Sequence, residues 1–284
     1  MSAPPSEPPL REVRGPSALG GGSRRFFDLL WLMSVTEFKR VYFGTVLGYL
    51  WSLIRPLMLF GVLLFVFTKV FKIGSEEAEH YPVLLLLGIV LFTLFQESTI
   101  NAVTSVVTQE GVVRKTQFPR LVIPLAIVVT GSFNFCLNMI VVFGFLLAFG
   151  VDPTWTWLLF PLALVLLVTF TAAVSMALSV LYVRFRDVAI IWTVIAQVLF
   201  YGTPILYPIE ALGNETYERL LMVNPLAPIF EQVRVWVVEP GAPTAAEAAG
   251  SALGLLPATV IYIAVCVFGV WIFNREAPRI AEEL

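Results

Sequence analysis

The apolar residues of this chain are gathered in blocks of about 20, the length of helix that crosses a hydrocarbon core of about 30 Å. Hydrophobic residues make up 58% and charged residues 13% of its 284 residues, whereas soluble proteins carry about 25% charged residues. We therefore expect an all-α polytopic membrane protein. Pro124 and Pro204 leave the boundaries of the third and fifth spans open. The six predicted spans are residues 53–72, 83–107, 119–149, 156–182, 188–207 and 252–273.

Lysine and arginine residues predict the orientation of these spans. With the N-terminus inside, most of them fall in cytoplasmic segments, whereas Lys69, Lys72, Arg219 and Arg234 fall on the outer side. Cytoplasmic loops of membrane proteins carry an excess of Lys and Arg. Both termini are therefore predicted to be cytoplasmic.

The chain begins with a polar segment and a candidate surface helix. Residues 1–23 are rich in Pro, Gly and Ser and lack the apolar core of a signal peptide, so a disordered tail is expected. Residues 24–42, RRFFDLLWLMSVTEFKRVY, have helical periodicity, with charged side chains on one half of the wheel and most apolar ones on the other. Such a helix lies in the membrane interface. It is either a plain anchor or a belt that also contacts a cytoplasmic partner and guides an anionic lipid head group inward.

Polar and aromatic residues within the spans have two interpretations. Span two contains a polar patch, and span three has polar residues spaced four apart on one stripe. Such residues either hydrogen-bond between helices or line a pathway. Aromatic residues at span ends either anchor the protein at the interface or stack on sugar faces. The candidate channel-lining residues are Trp51, Gln96, Glu97, Asn101, Asn134, Asn138, Phe200, Tyr201 and Tyr207.

The sequence lacks the usual signatures of an enzyme. No G-x-x-x-x-G-K-[ST] segment is present, so nucleotide binding through a P-loop is not expected. No cluster of metal ligands and no nucleophile–base pair stands out, and no nucleic-acid partner is expected. Cys136 and Cys266 lie in mid-span, where core side chains are expected, and His80 lies in an outer loop. We predict a subunit with no catalytic role, no metal site and no cofactor of its own.

Five segments, in order along the chain, resemble one family. They are EFKRVYFGTVLGYLWSLIRP (37–56), QFPRLVIPLA (117–126), LYVRFRD (181–187), NPLAPIFEQVR (224–234) and FNREAPR (273–279). This set is similar to the permease subunits of type-2 ATP-binding-cassette exporters, and most similar to the branch that exports O-antigen, teichoic acid and galactan chains. The resemblance covers roughly residues 24–284. Ala277 departs from the family's F-x-R-x-E-P ending, because it separates Glu276 from Pro278.

The resemblance implies a contact with an ATPase and an outer gate. A coupling helix is expected at residues 108–118, with a second contact between spans four and five, although a purely topological role is the alternative for both. The implied coupling residues are Glu110, Val113, Arg114, Lys115, Arg184, Arg186 and Asp187. Re-entrant helices within residues 208–250 are implied to form an outer gate. The implied gate residues are Asn224, Pro225, Glu231 and Arg234.

The resemblance also implies the partners and the location. Two copies of a separate ATPase, which bind ATP and Mg, would dock under two copies of this chain in the bacterial inner membrane. Six helices are too few to enclose a wide polymer channel, which independently favours a dimer. The expected substrate is a lipid-linked polysaccharide, such as O-antigen or cell-wall galactan on a polyprenyl diphosphate carrier.

A diphosphate head group in the inner leaflet would be attracted by cations near the membrane surface. Arginine binds phosphate through two parallel hydrogen bonds. Arg55 lies inside the start of span one, where a charge is costly unless the side chain snorkels to the interface. The predicted head-group residues are Arg24, Arg25, Lys39, Arg40 and Arg55.

Two other functions compete with polysaccharide export. A drug or small-lipid efflux permease of the same superfamily would share the six spans and the ATPase. An ion-coupled secondary transporter would use Glu97 as its proton carrier. Such transporters usually show internal repeats or more charges in mid-membrane, which this sequence lacks, so we regard this class as the weaker alternative.

Overall fold

The computed structural model describes residues 22–42, 48, 50–70, 80–111 and 119–277, and this part of the chain consists of helices and connecting turns. Residues 1–21 of the predicted tail and residues 112–118 of the predicted coupling helix lie outside the described residues. The helices are α1 (Gly22–Tyr42), α2 (Leu50–Phe65), α3 (Tyr81–Thr108), α4 (Val122–Ala148), α5 (Phe160–Arg184), α6 (Val188–Tyr201), α7 (Glu215–Leu221), α8 (Ala227–Val233), α9 (Ala245–Ala248) and α10 (Leu256–Glu276). Turns of 3-10 helix precede α5, α7 and α10 at Trp155–Leu159, Ile209–Leu212 and Ala252–Leu255, and π-helical turns extend α2 and α8 at Val66–Val70 and Arg234–Val238.

Five helices of the described part are long and apolar enough to cross a membrane. They match the predicted spans one, two, three, four and six. Pro124 does not interrupt the third span, because it lies in the first turn of α4, where its missing N–H has no helical partner to lose. The five segments are Leu50–Val70, Tyr81–Thr108, Val122–Ala148, Trp155–Arg184 and Ala252–Glu276.

The fifth predicted span, residues 188–207, is not a single helix of membrane length. Helix α6 has 14 residues, which at 1.5 Å per residue gives about 21 Å. The helix ends at Tyr201 because Gly202 and Pro204 follow. The next residues, 203–206, form a buried turn. The six expected spans are therefore matched by five full-length helices and one short apolar helix.

Helix α3 lies in the middle of the bundle, where it contacts α2, α4, α5 and α6. Between residues 81 and 95 nearly all of its side chains are buried. Phe95 packs against the rings of Phe170 on α5 and Trp192 on α6, at centroid separations of 5.9 Å and 6.1 Å. The Trp192 Nε1–H donates to Thr99 Oγ1 at 3.0 Å. Helix α6 is thus held against α3 by ring packing and a hydrogen bond.

Helix α1 packs along the first half of α4. The rings of Trp31 and Phe38 meet Phe133 edge-on, with centroids 5.4 Å and 6.1 Å apart. The Thr130 hydroxyl donates to the backbone carbonyl of the fully buried Ser34 at 3.1 Å. Residues 22–42 are therefore helical and docked on the bundle, while an amphipathic helix in the membrane interface stays a prediction.

An apolar cluster joins the helix ends beside α1. Val106 of α3, Ile123 of α4, Val183 of α5 and Phe273 of α10 are buried together, and Met33 of α1 packs against them. Five helices therefore meet at one end of the bundle, which we call the α1 end.

Residues 203–255 form a compact unit, which we call the cap, at the opposite end. The Tyr81 hydroxyl donates to the backbone carbonyl of Leu206 at 2.7 Å, and the Trp157 Nε1–H donates to that of Val237 at 3.1 Å. The helices of the cap are too short to span a membrane. Whether they re-enter the membrane stays a prediction. The cap has its own apolar cluster, made of Ile209, Met222, Ala227, Ala248 and Ala249.

Gly269 marks a close approach between α10 and α5. A methyl group at this position would overlap the backbone carbonyl of Ala173 on α5. Overpacking of this kind costs about 1–3 kcal/mol, so Gly269→Ala is expected to lower the unfolding temperature of the purified protein. Gly144→Ala on α4 is the control, because the added methyl group meets no atom within 4 Å. Equal unfolding temperatures for wild type and Gly269→Ala would contradict this packing.

Candidate functional site

A polar cleft of about 1010 Å³ lies between α1, α2, α3 and α4 at the α1 end of the bundle. Its volume is at the upper end of the range of small-molecule sites, about 300–1,000 Å³. Hydroxyl and amide side chains predominate in its lining, beside one indole ring. The lining residues are Glu37, Arg40, Gly48, Trp51, Ser52, Arg55, Gln96, Glu97, Ser98, Ile100, Asn101, Thr104, Ser105, Thr108, Gln109, Ile127, Thr130, Gly131 and Asn134.

The cleft exists because α3 changes character along its length. After Phe95, polar residues recur on one face at spacings of three or four, as at Glu97, Asn101, Thr104 and Thr108. Residues at these spacings share one face of a helix. The second half of α3 therefore presents a continuous polar stripe to the cleft.

Helix α4 adds a second polar stripe. Thr130 and Asn134 line the cleft, and Asn138, one turn further, lines a neighbouring cavity of about 20 Å³, room for a single water molecule. Asn138 Nδ2 donates to the backbone carbonyl of Asn134 at 2.9 Å. The two stripes come close at Gly131, where a methyl group would overlap the buried Ser98 hydroxyl of α3.

Two ion pairs hold all of the charged side chains that line the cleft. Arg55 Nη1 of α2 lies 3.1 Å from Glu97 Oε1 of α3, and Arg40 Nη2 lies 2.6 Å from Glu37 Oε1 on α1. The lining, all of it within the described residues, is therefore neutral overall when both pairs form. The side chains of Arg55 and Glu97 are 75% and 39% exposed, so their pair contributes about 0–1 kcal/mol to stability.

The structure places the predicted channel-lining residues in two regions. Phe200 is buried against Phe92, with ring centroids 5.2 Å apart, and the Tyr207 hydroxyl donates to the backbone carbonyl of Tyr201 at 3.3 Å. None of these three predicted aromatic residues lines the cleft. A role in a channel stays a prediction for every member of the set. Those that the fold does bring together in the cleft are Trp51, Gln96, Glu97, Asn101 and Asn134.

The predicted head-group residues divide in the same way. Arg40 and Arg55 line the cleft from α1 and α2. Arg24, Arg25 and Lys39 are exposed on α1 and do not line it. The fold therefore separates two cleft arginines from three cations on the surface of the same end.

Sequence reasoning missed Glu37, Thr104 and Thr108 as cleft residues. The signal for the two threonines was present, since they continue the helical face of Asn101. Glu37 lines the cleft only because α1 docks on α4. Nothing in the sequence of α1 alone predicts which helix it contacts.

The predicted coupling residues that the structure describes lie at the α1 end, where Val106 of α3 and Val183 of α5 share a buried cluster. Glu110 follows the end of α3, and Arg184, Arg186 and Asp187 are exposed at the junction of α5 and α6. The Arg186 guanidinium lies 4.9 Å from the centroid of the Tyr182 ring, a cation–π contact. Val113, Arg114 and Lys115 lie outside the described residues.

A buried arginine organises the cap. The side chain of Arg234 is 4% exposed, and its Nη1 lies 2.7 Å from Glu210 and 3.1 Å from Glu231. Its Nε and Nη2 both donate to Glu239, at 3.0 Å and 2.6 Å. The three carboxylates come from the 3-10 turn before α7, from α8 and from the chain after the π-helical turn. One guanidinium therefore joins three segments of the predicted gate region.

Glu231 is the most deeply buried of these carboxyl groups. Burial raises the pKa of Glu231 to about 7, Arg234 opposes the rise, and Glu210 and Glu239 add to it. Because this pKa lies above the ordinary value of 4.5, the folded protein binds the proton more tightly than the unfolded chain. The stability that the proton contributes is present below about pH 4.5 and is lost as the pH rises through about 7.

Asn224 and Pro225 connect the end of α6 to α8. Asn224 Nδ2 donates to the backbone carbonyl of Gly202 and to Thr203 Oγ1, both at 2.9 Å. Asn224 Oδ1 accepts from the backbone N–H of Leu226 at 3.0 Å. The Asn-Pro step thus fixes the first turn of α8 against the turn where α6 ends.

Within the described ranges, no group of three or more His, Cys, Asp and Glu residues is arranged to hold a metal ion. The carboxylates of the cap surround Arg234 instead. Cys136 and Cys266 are free thiols; Cys136 is exposed and Cys266 half-buried, so the expectation of two core side chains was wrong for Cys136.

Glu231→Gln is expected to flatten the dependence of stability on pH. At pH 8 the wild type contains a buried, ionised carboxylate, so the glutamine variant should unfold at a higher temperature, by about 2–4 °C for each kcal/mol regained. At pH 4, where the wild-type carboxyl is largely protonated in both the folded and the unfolded chain, the two should unfold at similar temperatures. Thermal unfolding of the purified proteins across this range measures the difference. Glu218→Gln, outside the cluster on α7, is the control, and an unchanged pH slope in Glu231→Gln would contradict the assignment.

The chain is similar to known proteins over most of its length. The sequence profile of the ABC-2 type transporter family matches residues 28–237. Two proteins from Klebsiella pneumoniae, both named O-antigen export system permease protein RfbA, are 29% and 30% identical to the chain over 262 residues, 91% of this chain and 95% of theirs. A protein of the same name from Myxococcus xanthus is 29% identical over 195 residues, 68% of this chain and 74% of its own.

The matched region extends from within α1 to the π-helical turn after α8. It contains nearly all of the segments that line the cleft and surround Arg234. The resemblance inferred from the sequence is therefore confirmed. The chain belongs to the ABC-2 type transporter family.

Proposed function

We propose that this chain is the transmembrane subunit of an ATP-driven exporter that moves a lipid-linked polysaccharide across the bacterial inner membrane. The observation that carries the proposal is the cleft, which combines arginines, amides, hydroxyls and an indole ring at one end of an apolar bundle. The relatives named as O-antigen export permeases support the same substrate class. An O-antigen or cell-wall galactan on a polyprenyl diphosphate carrier fits this chemistry.

Charge supports an orientation with the α1 end in the cytoplasm. Most described basic residues lie at the α1 end, among them Arg24, Lys39, Arg184 and Arg275. Acidic residues predominate in the cap. Because cytoplasmic segments carry an excess of Lys and Arg, we assign the cap to the outer side.

A sixth crossing through α6 and the turn after it is part of the proposal. Non-helical backbone is tolerated at membrane depth where protein buries it. The turn at 203–206 is buried and is bonded to Tyr81 and Asn224. With this crossing the number of spans is even, so both termini lie in the cytoplasm.

The cleft is proposed as the path of the substrate from the inner leaflet. Arg55 and Arg40 would attract the anionic head group. Amide and hydroxyl side chains on α3 and α4 would hydrogen-bond sugar hydroxyls, and Trp51 offers a ring for stacking. A second copy of the chain is proposed to complete the channel.

Energy is proposed to come from two copies of a separate ATPase that bind ATP and Mg. Its docking site would be the α1 end, at Glu110, Arg184, Arg186 and Asp187 together with residues 112–118. The described ones lie at the ends of α3 and α5, which meet in one buried cluster, and this supports a single docking surface. The chain itself is then a transport subunit and not an enzyme.

Arg55→Ala is expected to reduce export of the native glycan by at least about tenfold in cells that carry the partner ATPase. Hydrogen bonds to charged groups contribute about 1.5–3 kcal/mol, and about 1.4 kcal/mol is a factor of ten. Arg55→Lys should retain part of the activity, because it keeps the charge and loses the bidentate geometry. Surface glycan and membrane-inserted protein are measured together.

Arg219→Ala is the matched control, since Arg219 is an exposed arginine of the cap paired with Glu215. It should export normally. Normal export by Arg55→Ala at normal protein levels would contradict a head-group role for the cleft. It would leave snorkelling to the interface as the account of Arg55.

A further inference from the structure

The ion pair between Arg55 and Glu97 uses only part of the guanidinium. Glu97 contacts it at one nitrogen, Nη1, at 3.1 Å. A guanidinium has five N–H donors in a planar fork, and its strongest carboxylate pairs use two of them in parallel. The observed contact is therefore a weak form of the arginine–carboxylate interaction.

The surroundings of the pair also make it easy for a ligand to replace Glu97 at Arg55. The Arg55 side chain is 75% exposed, and both residues line the cleft, the volume into which a ligand would come. Arg234 offers the contrast within the same chain, since it is 4% exposed and bonded to three carboxylates. Exposed ion pairs are broken at little cost, whereas buried ones are not.

We propose that Glu97 is an exchangeable counter-ion of Arg55. Its carboxylate neutralises Arg55 in the empty cleft, a diphosphate head group displaces it on binding, and it pairs with Arg55 again when the head group leaves. This inference rests on the proposed role of the cleft in binding an anionic head group. In this role Glu97 lowers the affinity for the substrate, whereas a residue that contacts the substrate favourably raises it.

The diphosphate and the Glu97 carboxylate compete for one cation, Arg55. A phosphate group can accept two parallel hydrogen bonds from a guanidinium, which exceeds the single contact that Glu97 makes. Anions that bind arginine more weakly than a diphosphate does would displace Glu97 less often. Glu97 thereby lowers the affinity for every anion that needs Arg55.

A purely structural pair between α2 and α3 makes the opposite prediction. If Glu97 served to hold Arg55 in place, its removal would misplace the guanidinium and weaken anion binding. If Glu97 competes with the anion, its removal strengthens binding. The direction of the change separates the two roles.

The test uses the full-length chain, purified in detergent, and farnesyl diphosphate as a soluble prenyl diphosphate probe. Binding is measured for the wild type, Glu97→Gln, Arg55→Gln and the double variant. Inorganic pyrophosphate distinguishes a free diphosphate from a lipid head group, and farnesol shows binding through the prenyl chain alone. Asp28→Asn is the matched control, because it removes one carboxylate from α1 outside the cleft.

Glu97→Gln is expected to bind farnesyl diphosphate up to about fivefold more tightly than the wild type, which corresponds to about 1 kcal/mol. Farnesol binding and the Asp28→Asn variant should show no change. In the Arg55→Gln background the same substitution should no longer tighten binding, since the counter-ion then has no cation to neutralise. In export assays with the ATPase present, Glu97→Gln should lower KM without raising kcat.

Two results would overturn the inference, and they differ in what else they affect. If the wild type binds farnesyl diphosphate through Arg55 and Glu97→Gln binds it equally or more weakly, Glu97 is not a counter-ion and the proposed function stands. If neither protein binds the diphosphate, both this inference and the head-group role of the cleft are wrong. Binding by Glu97→Gln alone supports the inference.

Discussion

The architecture depends on how α3 meets the requirement that polar groups inside a membrane be paired. Over residues 81–95 the helix is almost entirely apolar and nearly all of its side chains are buried, so the bundle can close around it. From Gln96 to Gln109 one face becomes polar. Closing the bundle over that face would leave hydroxyl and amide groups unpaired, at a cost of about 1–3 kcal/mol each. The polar face opens onto the cleft instead, and α1 forms one of its walls.

The two ends of the molecule therefore differ in how deeply their arginines are buried and how many partners these have. At the cap, Arg234 is buried among three carboxylates, and removing the arginine would leave buried carboxylates without their cation, which costs about 3–5 kcal/mol. In the cleft, Arg55 is exposed and makes a single contact, which is broken at little cost. In the proposed function, this difference suits a subunit that binds its substrate at the cytoplasmic end while the outer end stays closed.

Much of the fold follows from the sequence, because an apolar block of membrane length has few alternatives to a helix. The fifth span was the exception, since Gly202 and Pro204 end α6 before it reaches full length. Within the cleft, Asn101 and Asn134 were predictable from their place inside apolar spans. Glu37 was not, because its position depends on the docking of α1 through Trp31. The burial of Arg234 was also beyond the sequence. Glu231 lies one helical turn away, but Glu210 comes from a turn 24 residues earlier that only the folded cap brings to the guanidinium.

Photo-crosslinking tests most directly whether the substrate moves through the cleft, as proposed. A photo-reactive amino acid at Asn101, which lies on the polar face of α3, is compared with one at Ile263, which is exposed on α10 outside the cleft. In cells that make the glycan and carry the ATPase, the lipid-linked polysaccharide is expected to crosslink at position 101 and not at 263. Crosslinking at 263 alone, or equally at both positions, would contradict transport through this cleft.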